Sequence, residues 1–178
     1  MKKIMPLMRL PTEAIYRRLR IKKLFNIEIE KFLGLRRTKY YSIIHGKNLV
    51  FKDVFPALKK LMGCRLAIAT NSSRQTLLAS TPYGLFEKFG ATVTYSDVLR
   101  AKPDPEMLFL AAKKLRVKPH ECVVAGDSIM DVLAAKGAGM VPIAVFRKTG
   151  ASTFAELKKK KPFAVIKSLG EVPKIVSV

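Results

Sequence analysis

The sequence predicts an α/β fold: a Rossmann-like parallel sheet with helices on both faces, preceded by a smaller helical segment. Three observations predict it. From about residue 64 onward, short apolar runs alternate with helical patterns. Two of those runs are almost continuously apolar, as strands covered on both faces are. The 178 residues, 49% of them hydrophobic, are enough to bury a full core.

The elements follow in order. CRLAIAT (Cys64 to Thr70) reads as a buried strand, and SSRQTLLAS as a helix capped by Ser72 or Ser73. ATVTYSD (Ala91 to Asp97) reads as a second strand. Asp104 suits an N-cap with Pro105 at the first helical position, and Met107, Leu108, Leu110, Ala111 and Leu115 keep one face of that helix apolar. Lys113, Lys114 and Arg116 suit its last turn. ECVVAGD is a third strand, leading into a helix IMDVLAAK that Gly137 and Gly139 end. VPIAVF (Val141 to Phe146) and PFAVIKS (Pro162 to Ser168) complete a set of five. The KKKK run, Lys158 to Lys161, reads as a solvated helix end.

Composition excludes several classes. No apolar run approaches the roughly 18 residues that span a bilayer, and Met1 to Leu10 has no h-region, so a cytoplasmic protein with no membrane partner is expected. Cys64 and Cys122 are read as small half-hidden hydrophobes rather than a disulfide. The formal net charge is +21, with 16 basic and 4 acidic residues in the first 62. Such a surface can bind nucleic acid, draw anionic substrates toward a cleft, or simply be solvated. No aromatic stacking platform or groove-reading motif accompanies the charge, which argues against nucleic acid.

In a parallel sheet, ligands bind at the carboxyl ends of the strands. Thr70 and Asn71 end the first strand, Lys102 lies in the loop SDVLRAKPDPE after the second, and Asp127 ends the third with Asp131 four residues on. Thr70 and Asn71 can donate hydrogen bonds to a phosphate, Lys102 can balance its charge, and Asp127 with Asp131 suits Mg²⁺. Each also has a purely structural reading. Thr70 and Asn71 could end a strand, Lys102 could be a surface lysine, Asp127 could cap the next helix, and Asp131 could favour its positive end. What the structural reading does not supply is a reason for all four features to fall at successive strand ends.

LAIATNSS, AKPDPEMLF and VVAGDSIMD, in this order and spacing, resemble motifs two, three and four of the haloacid dehalogenase-like hydrolases, above all the phosphoglycolate-phosphatase and β-phosphoglucomutase-like branch. The resemblance covers about Val50 to Val178. It implies Mg²⁺-dependent hydrolysis of a small phosphorylated metabolite through an aspartyl-phosphate. Carried over, Thr70 and Lys102 would be catalytic, Thr70, Asn71 and Lys102 would bind phosphate, and Asp127 would ligate the metal with Asp131 supporting it. IEIEKFLGLRRTKYYSII (Ile27 to Ile44) would belong to a helical cap, dividing the chain into a partial cap at residues 1–49 and a core at 50–178. His45 and His120 lie in no motif and are read as surface or cap residues. The loop RKTGAS, Arg147 to Ser152, falls at the same rim and reads as a turn.

One part of the pattern is missing. The family's first motif supplies the aspartate that attacks phosphorus, yet no aspartate precedes Asp53. Asp53 sits one helix before motif two, so it is not that nucleophile, and without one the covalent route is closed. In this fold the motif-one strand lies between those of motifs two and four, and its loss would leave a hydrophobic gap. The local substitute, KKIMPLM (Lys2 to Met8), carries Pro6, which a central strand disfavours. The expectation is therefore a chain truncated at its N-terminus. The alternative is a non-catalytic phosphate- or nucleic-acid-binding protein on the same scaffold. A phosphate-receiving signalling domain is a poorer fit, because its acidic residues come first in the chain.

Overall fold

The computed structural model describes residues 16–17, 20–44, 47, 49–82 and 84–176. KKIMPLM, the rest of Met1 to Leu10, and His45 lie outside the described residues. Two compact units are formed, Met1–Lys47 and Asn48–Val178. No helix among the described residues is long and apolar enough to cross a membrane.

In the first unit, α1 (Ile21–Phe25) leads through Asn26, whose backbone is left-handed, into the sixteen-residue α2 (Ile29–Ile44). The Tyr16 hydroxyl donates to the Ile27 carbonyl at 2.6 Å, and its ring meets that of Phe32 at 5.5 Å between centroids. These contacts fix the turn between the helices. The helical reading of Ile27 to Ile44 holds over α2.

The second unit runs α3 (Val54–Lys60), β1 (Ala67–Thr70), α4 (Arg74–Ser80), β2 (Ala91–Thr94), α5 (Glu106–Leu115), β3 (Val123–Gly126), α6 (Ile129–Gly137), β4 (Val141–Val145), α7 (Phe154–Lys159), β5 (Ala164–Ile166) and α8 (Val172–Ile175). All strand pairings are parallel: Ala67 to Thr70 of β1 face Ala91 to Thr94 of β2, and β4 lies between β3 and β5. The sequence suggests one sheet. The structure has two, of order β1–β2 and β3–β4–β5.

Local chemistry sets the element ends. Ser73, not Ser72, caps α4, its hydroxyl oxygen accepting from the Thr76 amide at 3.2 Å. Asp104 does take up a free amide at the start of α5, that of Glu106 at 3.0 Å, but Pro105 occupies the cap position, so the helix starts one residue later than its sequence suggests. Asp97 follows β2 and accepts from both the amide and the hydroxyl of buried Thr94 at 2.7 Å. Those two hydrogen bonds, outweighing burial and helped by the Arg74 and Lys114 charges, hold its carboxyl below the usual range. Gly139, with φ +68°, turns the chain out of α6 as expected.

Helices join what hydrogen bonds do not. Leu108 and Ala112 of α5 pack with Ala134 and Ala135 of α6 and with Ala138 and Met140 into one core cluster, against which Ala69 of β1 and Val124 of β3 also pack. A second cluster, Ile143, Val145, Ile166 and Val172, lies around β4 and β5. Asp53, just before α3, ties this side together. It accepts from Arg147 Nη2 at 2.8 and 3.0 Å, from the Ser168 hydroxyl at 3.0 Å and from the Leu169 amide at 2.8 Å. The Arg147 guanidinium stands 4.4 Å from the centroid of the Phe51 ring. The reading that Asp53 is no nucleophile agrees with a carboxylate so fully engaged.

Between β1 and β3 lies a cleft of about 530 Å³ with four walls. The two strands form its edges, α3 one face and α5 the other. At about 24 cal/mol per Å³ of dry void, a cavity of this size would cost on the order of 10 kcal/mol, comparable to the ~5–15 kcal/mol stability of an entire domain. The cleft also explains why the strand at Cys64 to Thr70 is half-buried instead of buried, and why Val123 in the middle of an apolar run is 38% exposed.

Candidate functional site

The site residues stand at the carboxyl ends of β1 and β3. Thr70 closes β1, and its hydroxyl oxygen accepts from the Ser72 amide at 3.1 Å, curling the chain toward the start of α4. Asn71 follows, exposed. Its side-chain amide donates to the Lys102 carbonyl at 2.9 Å and accepts from the Lys102 amide at 3.0 Å. The phosphate-cup role expected of that amide therefore competes with a structural one. Asn71 clamps the main chain of Lys102 as a neighbouring strand would.

Lys102 is held from three directions. The loop before it is shaped by Glu106, whose two oxygens accept from the amides of Leu99 and Arg100 at 2.9 and 3.0 Å. Its ammonium donates to the Ala69 carbonyl at 2.7 Å and to Asp131 Oδ1 at 2.6 Å. The side chains of Lys102 and Asp131 are only 9% and 12% exposed. In such a setting an ion pair is retained only with near-ideal geometry and further hydrogen bonds, both of which are present.

The other Asp131 oxygen is also engaged. Oδ2 accepts from the Ser128 hydroxyl at 2.6 Å and the Ser128 amide at 3.0 Å, while the Ser128 hydroxyl oxygen accepts from the Asp131 amide at 3.2 Å. This is a capping box, and Ser128 rather than Asp127 is the N-cap of α6. Freed from that duty, the Asp127 carboxylate is half-buried beside the loop after β4, one oxygen accepting from the Ala151 amide at 3.3 Å. The same loop sends the Ser152 hydroxyl to accept from the Ile129 amide at 3.0 Å. RKTGAS is thus a turn and also a wall of the rim.

Two glycines permit these approaches. A methyl group at Gly126 would collide with the Asp131 carboxyl group, and one at Gly150 would come within 2.9 Å of Asp127 Oδ2. Gly126 allows Asp131 to lie against the end of β3, which is where Lys102 meets it.

The rim gathers Asn71, Lys102, Ser128 and Asp131 by direct contact. Thr70 and Asp127 are set beside them by the ends of β1 and β3. His120 lies exposed in the turn before β3 and takes no part. No cluster of three or more His, Cys, Asp or Glu residues is found among the described residues. A Mg²⁺ ion asks for less, since one or two carboxylates with waters and a substrate phosphate suffice. Asp127 has oxygen capacity to spare for that purpose, and Asp131 does not. Sequence reasoning missed Ser128, Gly126 and Ala151. The spacing Ser128 to Asp131, S-x-x-D before an apolar run, was the available signal for the first.

A family model described as haloacid dehalogenase-like hydrolase matches residues 9–139. The chain is 39% identical over 123 residues to the bifunctional riboflavin kinase/FMN phosphatase of Arabidopsis thaliana, covering 68% of this chain and 31% of that one. It is 39% identical over 92 residues to the pyrophosphatase PpaX of Bacillus pumilus, covering 50% and 43%. This chain thus spans less than half the length of either relative. Among solved structures, the β-phosphoglucomutase of Clostridium difficile superposes with a TM-score of 0.69 at 20% identity, over 90% of this chain and 72% of that one. The last comparison speaks for the fold alone.

Proposed function

The chain belongs to the haloacid dehalogenase-like hydrolase family, and from that premise we propose that its strand-end rim binds a small phosphomonoester together with Mg²⁺. The rim would be part of a phosphatase site whose attacking carboxylate this sequence does not supply. The observation that carries the reading is the Lys102 ammonium, anchored between the Ala69 carbonyl and Asp131 where the strands end. A cation held in this way keeps one position, so a phosphoryl oxygen meets an oriented donor without a reorganisation cost. The names of the two relatives, an FMN phosphatase and a pyrophosphatase, support a small phosphorylated ligand.

Within the site, the Thr70 hydroxyl would donate to a phosphoryl oxygen and Lys102 would balance its charge. Asn71 and Asp131 act one step back: the first fixes the backbone of Lys102, the second its ammonium. Asp127 would hold Mg²⁺, which when bound neutralises charge on the phosphoryl oxygens. Residues 1–49 are assigned to a partial cap and 50–178 to the core. In the family reaction the phosphoryl group passes to an aspartate of motif one, and no aspartate precedes Asp53 here. The chain is accordingly read as a truncated form or a non-catalytic relative, which binds without turnover.

Calorimetric titration with inorganic phosphate in the presence of Mg²⁺, beside an assay with p-nitrophenyl phosphate, tests the reading. Saturable phosphate binding that Asp127→Asn weakens, with no hydrolysis, is expected. No phosphate binding would reject the site, and hydrolysis abolished by Asp127→Asn would reject the non-catalytic part of the reading.

A further inference from the structure

The cleft between β1 and β3 has the shape and chemistry of a missing strand. Both of its edges belong to parallel ladders, β1 through its pairing with β2 and β3 through its pairing with β4. Each edge strand is four residues long. The wall from α3 offers Ala57 and Leu58, that from α5 offers Leu108 and Ala112, and the edges add Ala69 and Val124. These are apolar surfaces on four sides of a space with backbone at two of them. A small polar molecule would leave those walls unsatisfied, and a globular partner could not enter. An extended strand satisfies both, its amides and carbonyls pairing with the edges and its alternate side chains packing on the two helical faces.

We propose that this cleft is a receptor for one extended apolar strand supplied in trans, lying parallel to β1 and β3 and joining the two sheets into one. The polar ends of the cleft fix where that strand starts and stops. At the carboxyl end Lys102 already takes the Ala69 carbonyl, so pairing on β1 stops there. At the other end the charges are already spent: Arg65 donates to the carbonyls of Leu115 and Arg116, and Glu121 accepts from the Lys118 amide. The occupant is therefore an uncharged stretch of about the length of its neighbours. Every strand among the described residues is already paired on at least one side within the fold, and a second copy would have to unravel to enter. The chain's own Lys2 to Met8 carries Pro6, which has no amide to give in a position where both edges ask for one. The inference is independent of the phosphate reading, because its readout is backbone protection and not turnover.

The probe is a synthetic acetylated and amidated peptide, DVIVIVD, added to the full chain and followed by amide hydrogen exchange. Slowing of exchange by tenfold or more at Ala67–Thr70 and Val123–Gly126 is expected, with none from a control peptide bearing a mid-strand proline. Val123→Arg, at an exposed position on the edge of β3, keeps the circular dichroism of the parent and loses the effect. Unchanged exchange with DVIVIVD, or equal slowing by the proline peptide, would overturn the proposal. So would protection of both strands before any peptide is added that is lost on Ile4→Glu, since the chain's own N-terminal segment would then be the occupant.

Discussion

Lys102 Nζ lies 2.6 Å from Asp131 Oδ1 and 2.7 Å from the Ala69 carbonyl, so a single ammonium ties the end of β1 to the first turn of α6. No strand pairing links the two sheets at this point. The ion pair therefore carries a structural duty as well as its place in the rim.

Asp131→Ala is expected to destabilise the chain by about 3–5 kcal/mol, since it strands a buried ammonium and removes the partner of Ser128. Lys102→Met is expected to cost less, because Ser128 continues to hold the Asp131 carboxylate. Urea unfolding of the two variants decides this. Equal losses would show that the cap contributes nothing.

Gly126→Ala is expected to cost about 1–3 kcal/mol, because the new methyl group pushes on the Asp131 carboxyl group. The same change in an Asp131→Ala background should cost much less. A double-mutant cycle by denaturation measures the coupling.

Asp127→Asn is expected to leave stability within about 0.5 kcal/mol, since its carboxylate makes one long hydrogen bond to Ala151. Mg²⁺ binding followed by calorimetry should fall below detection. A variant that binds Mg²⁺ like the parent would remove Asp127 from the metal site.

Burial pushes the Asp53 carboxyl up, but hydrogen bonds from Arg147, the Leu169 amide and Ser168, with the Arg147 charge, outweigh it and hold the group below the usual range. A carboxyl lowered in the folded state stabilises above its unfolded pKa of about 3.9 and loses that contribution as pH falls through the folded value. Asp53→Asn should therefore lower stability at pH 7 by about 2 kcal/mol, with the gap to the parent closing below about pH 4. Thermal unfolding at pH 7 and pH 3 checks both points.

Much of this molecule could be read from its residues. Strands such as VPIAV and the helix EMLFLAAKKL declare themselves by period and punctuation, both local properties. The three strand-end motifs placed Thr70, Lys102, Asp127 and Asp131 on one rim by order alone. What stayed hidden depends on contacts between distant residues. Nothing near Asp53 reveals that Arg147, 94 residues away, binds it. Asn71 suits a phosphate as well as it suits a backbone, and only the return of the loop at Lys102 shows that its amide is engaged. The division into two sheets was legible only indirectly, through the motif that is missing.

The uncovered edges of β1 and β3 bear on how copies of the chain behave toward one another. Open parallel edges lined with apolar residues invite stacking between molecules. A net charge of +21 opposes that encounter by mutual repulsion. The repulsion reaches about 10 Å at 0.1 M salt and about 3 Å at 1 M. Ionic strength thus sets how close two open edges come, and the lysine-rich surface acts as a guard on the cleft as much as an attraction for anions.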